Sequence, residues 1–324
     1  MWGQRRWQAA LGALLTLVAL VGCGGSSGGG SPKNGLLSGL DGLSGSDRLT
    51  TTIRLDTAPT ALQALARSSG DTLDARTASI ITGAQIVIET VKGSGLDVRA
   101  VANGSTLVEL RAVNDNLYIQ GDVRGILTLI NKPKVYGNLL AETKSMPSFV
   151  RAALTGQWVS LPSAALTSLA ALTGGSASSP PNSGPRLLGD LRSAINKHVT
   201  VTESGTDSRG THYVLHADTN ALAADLRSSL QSSVPGGALL SQRLPTQVSH
   251  QNVRFDAWVK DGAVSELSID LLQFDTSNKA PAGTTLPLTV TFDRTGDDIT
   301  VPSGAEPVDL TQLGTLVGAL SGGG

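Results

Sequence analysis

Few residues in this chain stand out for their chemistry. Among its 324 residues there is one Cys, Cys23, and four His. A single thiol closes no disulfide within the chain and builds no Cys-rich metal framework. It can act as the one good sulfur nucleophile available, and Gly22 just before it leaves a peptidase room at that bond. Gly25-Ser26-Ser27-Gly28-Gly29 has the letters of G-x-S-x-G. No strand precedes it and no helix follows, so it is not a nucleophile elbow. His212 and His216 are four apart, a metal-binding spacing on a helix. His212-Tyr213-Val214-Leu215-His216 reads as a strand instead, and four strand residues separate the rings by about 13 Å, too far for one ion. His198 and His250 have no partners legible in the sequence. Asp297-Asp298 reads as a turn pair, and Asp270 and Asp275 bracket a strand end with nothing to pair them as acid and base. Asn103-Gly104-Ser105 fits a glycosylation sequon, but a hairpin turn accounts for it better. No catalytic residue, metal site or cofactor motif is read, so the expectation is a protein that is not an enzyme.

The surroundings of Cys23 are more informative. Arg5 and Arg6 form a positive start, and Ala9 to Val21 then runs apolar but for Gly12 and Thr16. That run is too short for a spanning helix and suits the core of an export signal over residues 1–22. It ends in Leu20-Val21-Gly22-Cys23, which looks like a bacterial lipobox. There the Cys23 thiol takes a diacylglyceryl group and the chain is cut before it. An ordinary secretory signal with an incidental Cys is the bland alternative. Arg5-Arg6 also suits the twin-arginine route, although Gln8 stands where that motif prefers an apolar residue. Residues 23–35 then read as the lipidated Cys and a Gly/Ser tether. Twelve such residues span about 19 Å on average. The expected location is the outer face of the cell membrane, held by a lipid anchor. Two or more acyl chains give stable anchoring where one is marginal.

Composition narrows the partners. Lys plus Arg is 25 and Asp plus Glu is 26. Removing residues 1–22 takes two Arg and no acid, leaving 23 basic against 26 acidic side chains. Nucleic acid usually needs a basic face, so it is not an expected partner. A 40% hydrophobic share speaks against wholesale disorder. Beyond the tether there is no second apolar run long enough to span a membrane.

The body reads as strands, tight turns and short helices. Asn103-Gly104 joins Leu96–Val101 to Thr106–Val113, and Asp261-Gly262 joins Val253–Val259 to Val264–Leu271. Asn114-Asp115-Asn116 turns the chain into Leu117–Gln120, and Thr295-Gly296-Asp297 follows Leu286–Phe292. Val253, Phe255, Ala257 and Val259 share one face and Arg254, Asp256, Trp258 and Lys260 the other. Leu267, Ile269 and Leu271, and Leu286, Leu288, Val290 and Phe292, alternate in the same way. Period-two alternation predicts an antiparallel sheet covered on one side. Helices are expected at Thr60–Ser68, Leu73–Thr82, Met146–Leu154, Ala164–Leu172, Leu187–Ile195, Ala221–Leu230 and Leu310–Leu320. Thr51–Ser69 aligns without gaps on Thr211–Ser229, each reading strand, turn, helix. The alignment suggests two similar halves, 36–173 and 186–320, joined by the loop 174–185 within a domain over 36–320.

The dry sheet faces must be covered, either by the helices alone as a filled core or around a cavity that holds lipid. One acyl chain of roughly 16 carbons offers about 12 kcal/mol gross on leaving water. A filled core would leave a structural or interaction lipoprotein whose wet face, including Trp258, meets a protein partner.

The order of features resembles the actinobacterial envelope lipoproteins of the LppX/LprG type, which share a LolA-like fold. The matching parts are the lipobox at Cys23, the helical start Leu36–Leu43, and Asn114-Asp115-Asn116-Leu117-Tyr118-Ile119. The hairpin Phe255–Gly262 and the end strand Leu286–Phe292, followed by Ile299-Thr300-Val301-Pro302, complete the pattern. The resemblance implies an α+β fold: a curved antiparallel sheet, a half-barrel, with short helices on its concave face. It further implies an apolar pocket that carries an acylated lipid or lipoglycan. Expected lining residues are the dry-face positions Ile53, Leu55, Ile86, Ile88, Leu110, Phe255, Leu267, Ile269, Leu288, Val290 and Phe292. This chain is longer than those proteins, with the loop 174–185 in its middle.

Overall fold

The structure, a computed structural model, describes residues 31–143, 146–162, 193–218, 220–221, 224–225, 228, 252–275, 280–309 and 311–312. In chain order these form α1 (Pro32–Ser44), β1 (Arg48–Leu55), α2 (Pro59–Ser68), α3 (Ala75–Thr82), β2 (Gln85–Val91), β3 (Gly95–Ala102), β4 (Ser105–Val113) and β5 (Asn116–Gly121). Next come α4 (Val123–Leu129), α5 (Pro133–Glu142), α6 (Ser148–Leu154) and β6 (Val159–Pro162). The last elements are β7 (Val199–Asp207), β8 (Gly210–Asp218), β9 (Asn252–Lys260), β10 (Ala263–Asp270), β11 (Pro287–Asp293) and β12 (Glu306–Pro307). Among the described residues no helix is long and apolar enough to cross a membrane. The lipobox residues Leu20, Val21, Gly22 and Cys23, the loop 174–185 and the expected helix 164–172 lie outside the described residues. So do most of the expected helices 187–195, 221–230 and 310–320.

The chain folds into two compact units. One comprises residues 1–82 with 175–295, the other 83–174 with 296–324. This differs from the expected halves at 36–173 and 186–320. β1 with α2 and β8 with the helical residues after it, the two stretches that align in sequence, lie in the same unit.

In the first unit the strand order is β1-β11-β10-β9-β8-β7, every pair antiparallel. Ile53 pairs with Val290, Val290 with Leu267, Leu267 with Ala257, and Ala257 with Tyr213. Directly opposed residues share a face, so this row defines the dry side. Helix α1 lies on it. Ser31 caps α1 by accepting a hydrogen bond from Asn34 N, Pro32 opens it, and Leu36, Leu37 and Leu43 are buried. Gly35, Gly39 and Gly42 face the sheet. A Cβ at Gly35 would lie 2.5 Å from the Tyr213 hydroxyl, one at Gly39 2.8 Å from Val259 Cγ2, and one at Gly42 would overlap the Gly262 carbonyl. Glycine costs about 1 kcal/mol against alanine in a helix interior; here it permits the close approach. Residues 32–35, expected to belong to the tether, are helical.

In the second unit the order is β12-β6-β5-β4-β3-β2. All neighbours are antiparallel except the two-residue β12–β6 contact. Tight turns set the registers. Asn103 and Gly104 (φ 51° and 76°), Asn114 and Asp115 (50° and 58°) and, in the first unit, Asp261 and Gly262 (52° and 75°) have left-handed backbones. Two consecutive positive φ values match the twist of antiparallel strands, which is why Asn, Asp and Gly occupy these loops. The fold is α+β with antiparallel sheets, the expected class. The expected turn at Thr295-Gly296-Asp297 is instead the start of an irregular segment.

Candidate functional site

The second unit sorts its side chains sharply. Ile88 opposes Val98, Val98 opposes Leu110, Leu110 opposes Ile119, and Ile119 opposes Val159, an apolar row across five strands. Flanking rows are Ile86–Ala100–Val108 and Thr90–Leu96–Ala112–Leu117–Leu161. No charged residue stands in any of these rows. Cover is uneven. At the β6 end, Phe149 and Ala152 of α6 pack on Val159, and all three are buried. Toward β2 and β3 the cover thins. Ile88, Val98, Leu110 and Ile119 are half-buried, while Ile86 is 42% and Leu96 38% exposed. A cleft of about 550 Å³ opens at the turn end of these strands, beside Gly95, Ala112 and Leu117. Its lining is Val91 with residues 93–95 and 112–117, and includes none of the central row Ile88–Val98–Leu110–Ile119.

The opposite face carries charge. Glu89 opposes Asp97, Asp97 opposes Arg111, and Arg99 opposes Glu109. Arg99 pairs with Glu89, and Arg111 bonds Asp97 Oδ2 at 3.2 Å and Glu109 Oε1 at 2.5 Å. The Arg111 guanidinium also lies 4.9 Å above the Trp158 ring. Burial, and then the neighbouring Glu109 charge, push Asp97 up to about 6 against the pull of Arg111 and Arg99. Asp97 is only 4% exposed, so its carboxyl acts within the sheet.

The expected lining residues divide between the units. Ile86, Ile88 and Leu110 fall together on the incompletely covered face. Ile53, Leu267, Ile269, Leu288, Val290 and Phe292 lie in the first unit and are buried. Leu55 and Phe255 there are half-buried, Leu55 packing with Leu62, Leu65 and Leu286. Val98 and Ile119 belong to the apolar face and were not among the expected residues, although strand alternation with Leu96 and Leu117 points to both.

Several polar residues differ from expectation. Trp258 does point away from the dry side, but it is only 4% exposed. The His212 ring stacks on it at 4.6 Å and 5°, Arg209 Cζ lies 3.7 Å from its centroid, and its Nε1 donates to Asp207. Hydrogen bonds from the Arg209 side chain and then its backbone N–H lower the Asp207 carboxyl to about 2. Trp258 is thus a buried anchor of the polar face, which removes it as the exposed residue that meets a partner. His212 pairs with Asp256 at 2.8 Å, and His198 finds Asp225 at 3.1 Å. Asp270 accepts from Leu272 N and Leu286 N, holding the end of β10.

No family model matches the chain, and no curated protein does. Among the solved structures similar to this chain are two mycobacterial proteins. The lipoprotein LppX of Mycobacterium tuberculosis is 11% identical, covering 84% of this chain and 98% of its own, at a TM-score of 0.34. LprF of Mycobacterium bovis is 11% identical, covering 85% and 97%, at a TM-score of 0.37. Neither alignment assigns a role to a residue of this chain.

Proposed function

We propose that this protein is an exported, membrane-anchored lipoprotein, not an enzyme, that binds or carries an acylated lipid or glycolipid on the apolar face of its second unit. The observation that carries the proposal is the row Ile88–Val98–Leu110–Ile119–Val159, fully covered only at its β6 end. Soluble proteins seldom leave a continuous apolar sheet face partly open without a use for it. An acyl chain is a fitting occupant because the face offers shape and apolar area with no charged group to satisfy. Covering about ten methylenes there would return about 8 kcal/mol gross. The buried residues Ile53, Leu267, Ile269, Leu288, Val290 and Phe292 are assigned to the core of the first unit. The anchor at Cys23 and the location at the outer face of the membrane rest on the lipobox.

Native mass spectrometry tests the reading. Every described element begins at or after Pro32, so a chain starting at Gly24 keeps all of them. Produced in an actinobacterial host, it is expected to carry one organic-extractable lipid per chain. Ile88→Lys should lose that lipid while keeping a cooperative melt. A lipid-free parent whose melting is unchanged by added lipids would move the assignment to an interaction protein with a filled core.

A further inference from the structure

The helix pair α4–α5 carries a feature that cargo binding does not use. Residues 124–134, from α4 into the first turn of α5, contain Arg124, Lys132 and Lys134 and no acid; Asp122 at the N-cap of α4 and Glu142 at the end of α5 flank this run. All three cations are exposed. The turn between the helices is closed by backbone hydrogen bonds. Ile130 N donates to Ile126 O, Asn131 N to Thr128 O at 3.1 Å, and Lys132 N to Leu127 O at 2.7 Å. Asn131 takes a left-handed φ of 61°. This is a Schellman-type stop, and it holds Ile130 outward at 56% exposure, with Val135 at 38% in the first turn of α5. Neither helix has a fully buried residue.

We infer that the α4–α5 turn docks on an anionic phospholipid surface, with Ile130 and Val135 entering the interface and Lys132 and Lys134 meeting lipid phosphates. Apolar side chains ringed by cations suit that boundary, where burial and attraction to anionic lipid act together. Lysine stems lie along the apolar layer while their ammonium groups stay at phosphate level. The partner is chosen by charge. A chain with 25 basic and 26 acidic side chains has no general affinity for an anionic membrane, and the run from Arg124 to Lys134 is locally basic. Such a contact would set the orientation of the tethered protein at the membrane.

The test uses the chain from Gly24, so that no lipid anchor contributes, in co-sedimentation with phosphatidylcholine vesicles with and without phosphatidylglycerol. The parent should bind the anionic vesicles and release them in high salt. Each cation near the surface is worth about 1 kcal/mol, close to 5-fold. Lys132→Gln with Lys134→Gln should therefore weaken binding by about 25-fold. Ile130→Asp should weaken it at unchanged charge on the lysines. Both changes lie on exposed side chains, so unchanged melting curves confirm that folding is intact. Ile88→Lys, which tests the cargo face, should leave vesicle binding in place, so the two readings fail separately. Equal binding to both vesicle types, no binding by the parent, or indifference to the lysine changes would each overturn the inference.

Discussion

Asp97 offers a quantitative handle on the second unit. Its carboxyl is raised from 3.8 to about 6, first by burial and then by Glu109. Its Oδ1 and the Arg99 Nε lack hydrogen-bond partners and stand 3.9 Å apart. Arg111 therefore compensates the charge only in part. Between about pH 4 and 6 the folded protein keeps this proton while the unfolded chain releases it. The folded state then binds more protons, so stability from this group is greatest below pH 4 and falls as pH rises to about 6. At 1.36 kcal/mol per pH unit, the difference between 3.8 and about 6 is worth at most about 3 kcal/mol. Asp97→Asn removes the titration and can still accept from Arg111. Urea unfolding of parent and variant at pH 4 to 8 is the assay. The stability of the variant relative to the parent should rise by about 2–3 kcal/mol between pH 4 and 7, then level off. A difference that is constant with pH would refute the assignment of a raised Asp97.

Two further perturbations test the packing. Gly42→Ala puts a Cβ against the Gly262 carbonyl. It should lower stability by about 1–3 kcal/mol in urea unfolding, opposite in sign to the usual gain of alanine in a helix. Trp258→Ala empties the space between His212 and Arg209 and should cost about 3–5 kcal/mol. Trp258→Phe should cost clearly less, because it keeps an aromatic ring between His212 and Arg209 and loses the extra area of the indole and the bond to Asp207.

Local signals were legible wherever the chemistry is local. Asn103-Gly104 and Asp261-Gly262 announce turns because few residues tolerate two successive positive φ values, and strand alternation then assigns the faces. Helix α1 begins earlier than its composition suggests. Lys33-Asn34-Gly35 reads as loop, and its helicity depends on a sheet surface that requires glycine. The charge ladder Glu89–Arg99–Glu109 and Asp97–Arg111 is invisible in sequence because it exists only once three strands take register. Trp258 was assigned to the correct face, but its cover comes from Arg209 and His212, 49 and 46 residues away in the chain. For the site, alternation identified Ile86, Ile88 and Leu110 as apolar-face residues. It could not separate them from Ile269 or Val290, because burial depends on what packs above a strand. The interleaving of the two units, each built from separate stretches of chain, is likewise a property of long-range pairing.

The most direct test of the central claim is to map where a lipid tail lies. The chain from Gly24 would be loaded with a photoreactive fatty acid bearing a diazirine along its tail, irradiated and sequenced by mass spectrometry. Adducts are expected in β2 to β5, on Ile86, Ile88, Val98, Leu110 or Ile119, and native lipid should displace them. Adducts confined to β9 to β11, around Ile269 and Val290, or labelling that native lipid does not displace, would contradict a binding face in the second unit.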